Sequence, residues 1–224
     1  MKITSIFLSS ESDSSLPFLS FCEENKISIL RKSFISFDAV EFELPLEWDV
    51  VFFSSPRSFD FFVSKGIEWK PDQQIACIGN ETKKHIESAG LTVSFAGENA
   101  GSPKEVAAHF KEWLKDRIAL FPQSTKSNKS IETALPTNQR KPLVVYKTIE
   151  TPIRLSDAFS MYVFTSPSNY ESFSSLNTLP DDAIVVSWGE MTDQQIVNQG
   201  SKSDHILKTS TYSELLKILH KLNS

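Results

Sequence analysis

Phe-Phe-Ser-Ser-Pro, at residues 52–56, is the strongest indicator of the fold, and it recurs as Val-Phe-Thr-Ser-Pro at residues 163–167. In each copy an apolar run predicts a buried strand, and the Ser-Pro pair predicts the start of a helix. A second apolar run then ends at Gly79 in one copy and at Gly189 in the other, with a threonine three residues later. This ordered series predicts that one α/β unit is present twice in the chain.

Alternation of short apolar runs with helical patterns continues along the whole chain. Runs rich in Val, Ile and Phe predict buried parallel strands, and the segments between them have helical spacing. We therefore expect two similar three-layer α/β/α domains with parallel sheets, flavodoxin-like in layout and internally duplicated. The apolar runs are Ile3–Leu8, Ile27–Leu30, Val50–Phe53, Ile75–Ile78, Leu91–Phe95, Ile118–Phe121, Leu143–Tyr146, Tyr162–Phe164, Ala183–Trp188 and Ile206–Leu207.

Two stretches without helical pattern, Lys32–Pro45 and Pro142–Pro152, lie between the α/β units. If they pair, they form a two-stranded β connector. The middle of the chain is then one domain, and the segments on either side of it join to form the other. The expected boundaries are a discontinuous domain at residues 1–34 and 150–224, an inserted domain at 46–141, and connector strands at 35–45 and 142–149.

Composition excludes several classes of function. The formal net charge is -5 without a basic stripe, which argues against binding of nucleic acid. The sequence contains no run of eighteen apolar residues, so no membrane span is predicted. The first apolar run is too short for a signal peptide, and we therefore expect a cytoplasmic protein. Cys22 and Cys77 lie in apolar patterns typical of buried reduced thiols. The four histidines lack the spacing of metal ligands, so no metal is expected.

Hydroxyl residues at helix starts are the candidate ligand-binding groups. A helix N-terminus presents N–H groups and partial positive charge, so it binds carboxylates without a basic residue. Ligands of open parallel sheets bind at the carboxyl ends of the strands. The alternative for each residue is that it only caps its helix, as capping boxes at Ser102–Glu105 and Thr211–Glu214 also suggest. The candidates are Ser54, Ser55, Thr82, Thr165, Ser166, Ser168 and Thr192.

Tyr146 is the candidate for chemistry, because it ends the apolar run 142–146 beside a predicted domain junction. A phenol in that place can donate a proton or a hydrogen bond into a cleft. The alternative is a packed strand aromatic. Lys126 and Lys129 lie in a serine-rich segment that either attracts anions or is a solvated loop. No nucleophile triad, Walker loop or GxGxxG motif accompanies them.

The motifs have a specific order: Phe-Ser-Ser-Pro (53–56), Ile-Gly-Asn-Glu-Thr (78–82), Gly-Glu-Asn-Ala-Gly-Ser-Pro-Lys-Glu (97–105), Leu-Phe-Pro (120–122), Val-Tyr-Lys-Thr (145–148) and Phe-Thr-Ser-Pro-Ser (164–168). Together they resemble the uroporphyrinogen-III synthase family. The resemblance implies a monomeric, cofactor-free lyase with two α/β domains joined by a two-stranded ladder. It also implies that hydroxymethylbilane, a linear polycarboxylate tetrapyrrole, is cyclised to uroporphyrinogen III with inversion of ring D and loss of water.

The resemblance also suggests roles for particular residues. Tyr146 would assist departure of the hydroxyl group on ring A. The second glycine turn departs from the family's Gly-Pro-Thr-Thr and reads Gly-Glu-Met-Thr, and Glu190 would be unfavourable beside the anionic substrate if it pointed into the cleft. The alternative function is a non-enzymatic two-domain binding protein for a small anionic ligand. The implied substrate-binding residues are Ser54, Ser55, Thr82, Asn99, Ser102, Thr165, Ser166, Ser168 and Thr192.

Overall fold

Strands and helices alternate along the chain in the computed structural model, which describes residues 2–11, 15–98, 100 and 102–223. The strands are β1 (Ser5–Leu8), β2 (Ser28–Arg31), β3 (Ile35–Ala39), β4 (Val50–Phe53), β5 (Gln74–Cys77), β6 (Phe95–Ala96), β7 (Ala119–Ser124), β8 (Arg140–Glu150), β9 (Met161–Phe164), β10 (Ile184–Ser187) and β11 (His205–Ile206). The α-helices are α1 (Leu16–Glu24), α2 (Pro56–Val63), α3 (Asn80–Ser88), α4 (Pro103–Leu114), α5 (Pro167–Ser174), α6 (Glu190–Asn198) and α7 (Tyr212–Asn223). Within the described part of the chain, none of these helices is both long and apolar enough to cross a membrane.

The chain divides into two compact units. Unit 1 comprises residues 1–36 and 149–224, and unit 2 comprises residues 37–148. The first boundary lies within β3, and the second lies within β8. Unit 2 is therefore one continuous segment of chain, whereas unit 1 is assembled from two segments that are far apart in the sequence.

Each unit is built on a parallel sheet. In unit 1 the strand order is β11-β10-β9-β1-β2, and neighbouring strands run parallel throughout the described sheet. The other sheet has the order β3-β8-β7-β4-β5-β6, and it is parallel from β8 to β6. The prediction of an α/β fold with parallel sheets is confirmed.

Burial on both faces explains why the central strands are continuous apolar runs. All four residues of β4 are buried, as are all four of β9. Successive side chains point to opposite faces of a sheet. Val51 and Phe53 accordingly pack in a cluster with residues of α2 and α3, while Val50 and Phe52 pack with residues of α4. Burial of each such phenylalanine contributes about 1.5–3 kcal/mol to stability.

The predicted strand Leu91–Phe95 is wrong over most of its length. Only Phe95–Ala96 forms a strand, and it pairs with β5 as the edge strand β6. The residues before it begin from a left-handed turn at Gly90, with φ of +83°. Hydrogen bonding to β5 starts only where the Ser94 N–H donates to the Ile75 carbonyl oxygen. Leu91 and Val93 therefore pack their side chains against the core from irregular backbone.

The predicted capping boxes form differently from expectation. Ser102 precedes α4 but its side chain makes no capping hydrogen bond. Thr211 Oγ1 accepts from the Glu214 N–H, at 3.3 Å, whereas the Glu214 carboxylate accepts from the N–H groups of Lys208 and Thr209. That carboxylate therefore ties down the turn that precedes α7 rather than closing the expected box.

Candidate functional site

The helix starts lie at the carboxyl ends of the parallel strands in each unit. In unit 2, α2 follows β4, α3 follows β5 and α4 follows β6, so their N-termini share one edge of the sheet. Four predicted residues lie at this edge: Ser54, Ser55, Thr82 and Ser102. The corresponding edge of unit 1 carries Thr165, Ser166, Ser168 and Thr192 at the starts of α5 and α6. Asn99 lies outside the described residues.

A cavity of about 200 Å³ opens at the carboxyl edge of the unit 2 sheet. Phe52 and Phe121 form apolar lining, and Ser54 and Pro103 bring the β4 corner and the first turn of α4 to the same cavity. The remaining wall comes from residues 78, 100, 122–123 and 127–132. Ser54 therefore lines a cavity that lies beside a helix N-terminus.

Two buried polar residues that sequence reasoning missed lie in the wall of this cavity. Gln123 and Glu132 are 4% and 6% exposed, and the Gln123 side-chain amide donates to the Glu132 carboxylate at 2.9 Å. The only signal was their place after the Leu-Phe-Pro motif. Lys129, which was noted in the sequence, also lines the cavity and has a left-handed backbone with φ of +56°. The cavity therefore offers both hydrogen-bond donors and a carboxylate acceptor.

The corner serines cap their helices. Ser55 Oγ accepts from the Ser58 N–H at 3.2 Å, and Ser58 Oγ accepts from the Ser55 N–H in return. In the second copy Ser166 Oγ accepts from both the backbone and the side-chain amide of Asn169, at 3.3 and 3.1 Å. A hydroxyl oxygen that accepts these bonds still carries its own O–H donor. Capping and donation to a bound carboxylate are thus compatible at Ser55 and Ser166.

Thr165 differs from the corner serines because its donor is already engaged within unit 1. Its hydroxyl donates to the carbonyl oxygen of Ser9 at 2.9 Å, and its N–H donates to Ser9 Oγ at 2.8 Å. Ser9 follows β1 and is fully buried. These bonds join the ends of β1 and β9. Thr165 is therefore less suited than Ser166 to donate its side-chain hydrogen to a ligand.

The two turn threonines occupy equivalent positions. Thr82 is 3% exposed in the first turn of α3, and Thr192 is 4% exposed in the first turn of α6. The turn before Thr82 is tightly packed, because a Cβ on Gly79 would lie 2.8 Å from the Cβ of Ala100. Both threonine side chains therefore face the interior of their own unit, next to the helix N-terminus.

Tyr146 lies inside a strand rather than at its end, because β8 continues to Glu150. The residue is only 8% exposed, and its ring stacks on Phe61 with centroids 4.9 Å apart and meets Phe37 edge-on at 5.8 Å. It belongs to the cluster that contains Val51, on the face of the sheet opposite Phe52 and the cavity. The phenol and the cavity thus lie on different faces of the unit 2 sheet.

Arg57 brings a positive charge to the aromatic cluster around this phenol. Its Cζ lies 3.5 Å from the centroid of the Phe37 ring, and that ring meets Tyr146 edge-on. Burial against these rings lowers the pKa of Arg57, while Tyr146 and Asp60 act in the opposite direction. Arginine remains a cation through such shifts. Nothing in the local sequence indicated this arrangement, because these residues come together only through the packing of α2 on β8.

The cysteines and acidic groups give no sign of nucleophilic or metal chemistry in the described ranges. Cys22 and Cys77 are buried free thiols, and burial raises the pKa of each to about 11. Both are therefore neutral near pH 7, whereas a reactive cysteine is a thiolate. Across residues 2–11, 15–98, 100 and 102–223, no group of three or more His, Cys, Asp or Glu side chains could hold a metal ion.

Comparison with known proteins identifies the family. Residues 17–217 match the family model of uroporphyrinogen-III synthase HemD. The chain belongs to the uroporphyrinogen-III synthase family. This match confirms the resemblance to the family that the motifs indicated. Uroporphyrinogen-III synthases are cyclising lyases of haem biosynthesis. None of the curated proteins compared with the chain matches it.

Solved structures of uroporphyrinogen-III synthases share the fold. The enzyme from Helicobacter pylori 26695 is 18% identical, with a TM-score of 0.71 over 99% of this chain and 100% of that one. A mutant enzyme from the extremely thermophilic bacterium Thermus thermophilus is 15% identical, with a TM-score of 0.61 over 97% of this chain and 99% of that one. At these identities the likeness concerns the fold alone.

Proposed function

We propose that this chain cyclises hydroxymethylbilane to uroporphyrinogen III, with inversion of ring D and loss of one water molecule. The observation that carries the proposal is the phenol of Tyr146. It is fixed between two aromatic rings, one of which also carries the guanidinium of Arg57 on its face, in a chain that matches the family from residue 17 to residue 217. A phenol held in this way supplies a proton donor without any cofactor.

The reaction needs a proton donor at its first step and a proton acceptor at its last step. Tyr146 donates its proton to the ring A hydroxyl as the C–O bond breaks, and water leaves. The resulting cationic methylene bonds to the substituted carbon of ring D and forms a spirocyclic pyrrolenine. The bond from that carbon to the neighbouring methylene then breaks, and the methylene bonds to the free carbon of ring D. The proton that this carbon loses restores the phenol, so the net change is loss of water.

Substrate carboxylates are proposed to bind at the helix starts. Ser54, Ser55 and Ser102, with Thr82 and the adjacent N–H groups, offer donors in unit 2, and Asn99 is assigned to the same segment by resemblance. In unit 1 the corresponding donors are Ser166, Ser168 and Thr192, whereas Thr165 holds the corner in place through its bonds to Ser9. Such N-termini stabilise anions by charge as well as by hydrogen bonds.

Glu132 makes the cavity of unit 2 selective among the parts of the substrate. Its buried carboxylate repels a propionate or acetate side chain, whereas a pyrrole N–H is a donor that it can accept. We propose that the cavity takes the pyrrole edge of one ring, with Ser54 and Lys129 at the carboxylate-bearing periphery.

Duplication of one ancestral unit is proposed for the fold. The order β11-β10-β9-β1-β2 of unit 1 parallels the order β6-β5-β4-β7-β8 of unit 2, and each corner motif falls on the third strand. We propose domain boundaries near 34/35 and 149/150, with strands around residues 35–45 and 142–149 as the connector. A cytoplasmic monomer without metal or organic cofactor completes the proposal.

Separation of porphyrin isomers tests the function. Freshly prepared hydroxymethylbilane is incubated with the protein, the products are oxidised, and isomers I and III are resolved by chromatography. We expect isomer III well above the buffer control, which cyclises spontaneously to isomer I. Isomer I alone, formed at the control rate, would overturn the proposal and leave a non-enzymatic anion-binding protein.

A further inference from the structure

Glu132 is an unusual residue for a site that receives a polyanion, because it brings a buried negative charge into the unit 2 cavity. We infer that Glu132 anchors an inner ring of the substrate, B or C, by accepting a hydrogen bond from its pyrrole N–H. The inference rests on the proposed function, because the ring belongs to the substrate proposed above. Such a contact strengthens binding of the substrate and leaves the chemical step unchanged.

One oxygen of this carboxylate is left over for a ligand. Gln123 Nε2 donates to Oε2 at 2.9 Å, and Oε1 has no hydrogen-bond partner among the residues that the structure describes. The two oxygens of an ionised carboxylate together accept about four hydrogen bonds. A buried charge with a single donor is costly, and an N–H group from a ligand reduces that cost. The cavity therefore favours a ligand that donates a hydrogen bond at this point.

The surrounding segment holds the carboxylate in place. Glu132 begins a short 3-10 helix, Glu132–Ala134, and the flanking Ile131 and Leu135 are buried in the same apolar cluster. The Arg140 side chain donates to the carbonyl oxygen of Glu132 at 3.3 Å. With its backbone fixed on both sides and its side chain bonded to Gln123, the carboxylate is preorganised before a ligand binds.

The charges of the cavity match the two sides of a pyrrole ring. Glu132 is buried whereas Lys129 is exposed, and within the described part of the chain these two side chains form no ion pair with each other. The nitrogen of a pyrrole lies opposite the two carbons that carry the acidic side chains. A ring that enters with its N–H edge first therefore donates to Glu132 and keeps its carboxylates near Lys129 and the exposed Ser54. Entry in the reverse direction would place a carboxylate against Glu132.

The position of the phenol selects the inner rings. In the proposed reaction ring A loses its hydroxyl at Tyr146 and then bonds to ring D, so both terminal rings meet beside that phenol. Tyr146 lies on the face of the sheet opposite the cavity. The ring inside the cavity is therefore not a terminal ring, which leaves ring B or ring C. An anchor at this place holds the middle of the substrate while its two ends come together.

Glu132→Gln tests the anchor through the sign of the change in KM. The new amide oxygen can still accept from Gln123, but a neutral acceptor holds the pyrrole N–H less strongly. We expect KM to rise about five- to tenfold while kcat stays within about twofold of wild type. Glu112→Gln removes an exposed carboxylate from α4 of the same unit and should change neither constant.

Three kinetic results would overturn the inference. A fall in KM would mean that Glu132 only repels the anionic substrate. An unchanged KM would mean that Glu132 only supports its own segment through the bond to Gln123. A fall in kcat beyond the expected range would mean that Glu132 acts in the chemical step.

Binding of a small pyrrole to the wild-type protein is a second measurement, independent of turnover. The probes are a monopyrrole with one acetate and one propionate group, and its N-methyl analogue, which has the same charge but no N–H donor. In an NMR titration we expect the first probe to shift the side-chain amide signals of Gln123, and the second to bind at least about fivefold more weakly. Equal affinities, or no shift at Gln123, would overturn the inference. A protein that forms only isomer I would refute the proposed function, whereas isomer III with equal affinities would refute only this anchor.

Discussion

Tyr146→Phe is expected to lower kcat about a hundredfold or more while it leaves stability almost unchanged. The variant keeps the ring, so the stack on Phe61 and the edge contact with Phe37 survive. The variant loses only the hydroxyl group, so the stability cost is about 1 kcal/mol or less. For a chain of this size that corresponds to less than about 4 °C in melting temperature.

Tyr146→Leu is the matched control, because it removes the ring as well as the hydroxyl. Two aromatic contacts contribute about 0.5–1.5 kcal/mol each beyond the area they bury, so the melting temperature should fall by several degrees. The assay is the rate of isomer III formation for wild type and both variants, beside thermal unfolding of each. If the phenylalanine variant keeps the wild-type kcat and only the leucine variant loses it, Tyr146 is a packed strand aromatic, and its catalytic role is refuted.

Three further predictions concern other parts of the molecule. Gly97→Ala should cost about 1–3 kcal/mol in thermal unfolding, because its Cβ would lie 2.4 Å from the Ile78 carbonyl oxygen; an unchanged melting temperature would contradict this packing. Cys22 and Cys77, each with a pKa of about 11, should resist alkylation at pH 8 until urea is added, and stability should fall as the pH rises from about 9, since the unfolded thiols ionise first. Glu190→Gln should lower KM by up to about fivefold through reduced repulsion of the anionic substrate, with a small loss of helix stability; an unchanged KM would place Glu190 away from the substrate.

The strands were predictable where burial on both faces leaves no polar residue in the run. Val50–Phe53 and Tyr162–Phe164 are such runs, and each became a central strand. Leu91–Phe95 has a similar apolar character at a sheet edge, where alternate side chains are exposed and only its last residue pairs. The local composition indicates which side chains are buried, but it does not indicate which backbone groups form hydrogen bonds with a neighbouring strand. Edge strands are therefore predicted less well.

The site was predictable where it depends on helix starts, because a Ser-Pro corner is a local motif that can be identified from a few consecutive residues. Ser55 and Ser166 accordingly cap α2 and α5. The placement of Arg57 over Phe37 beside Tyr146 and the Gln123–Glu132 pair were not predicted, because each depends on how distant or irregular segments pack. The motif around Tyr146 singled that residue out, but it did not predict that the strand continues beyond it. β8 extends to Glu150, beside β3 in the sheet, so the position of Tyr146 within the strand depends on a distant segment.

The discontinuity of unit 1 has a consequence for the order in which the protein folds during synthesis. β1 lies between β2 and β9 in its sheet, so one side of β1 has no partner until residues 161–163 have been made. At about 5–20 residues per second this delay is about eight to thirty seconds. Unit 2 is continuous and is complete at residue 148, so it can begin to fold before the partner strand of Ile6, Phe7 and Leu8 has been made. The nascent chain therefore exposes an apolar strand edge for longer than two domains in series would, which makes chaperone capture of that segment an expected step in its biogenesis.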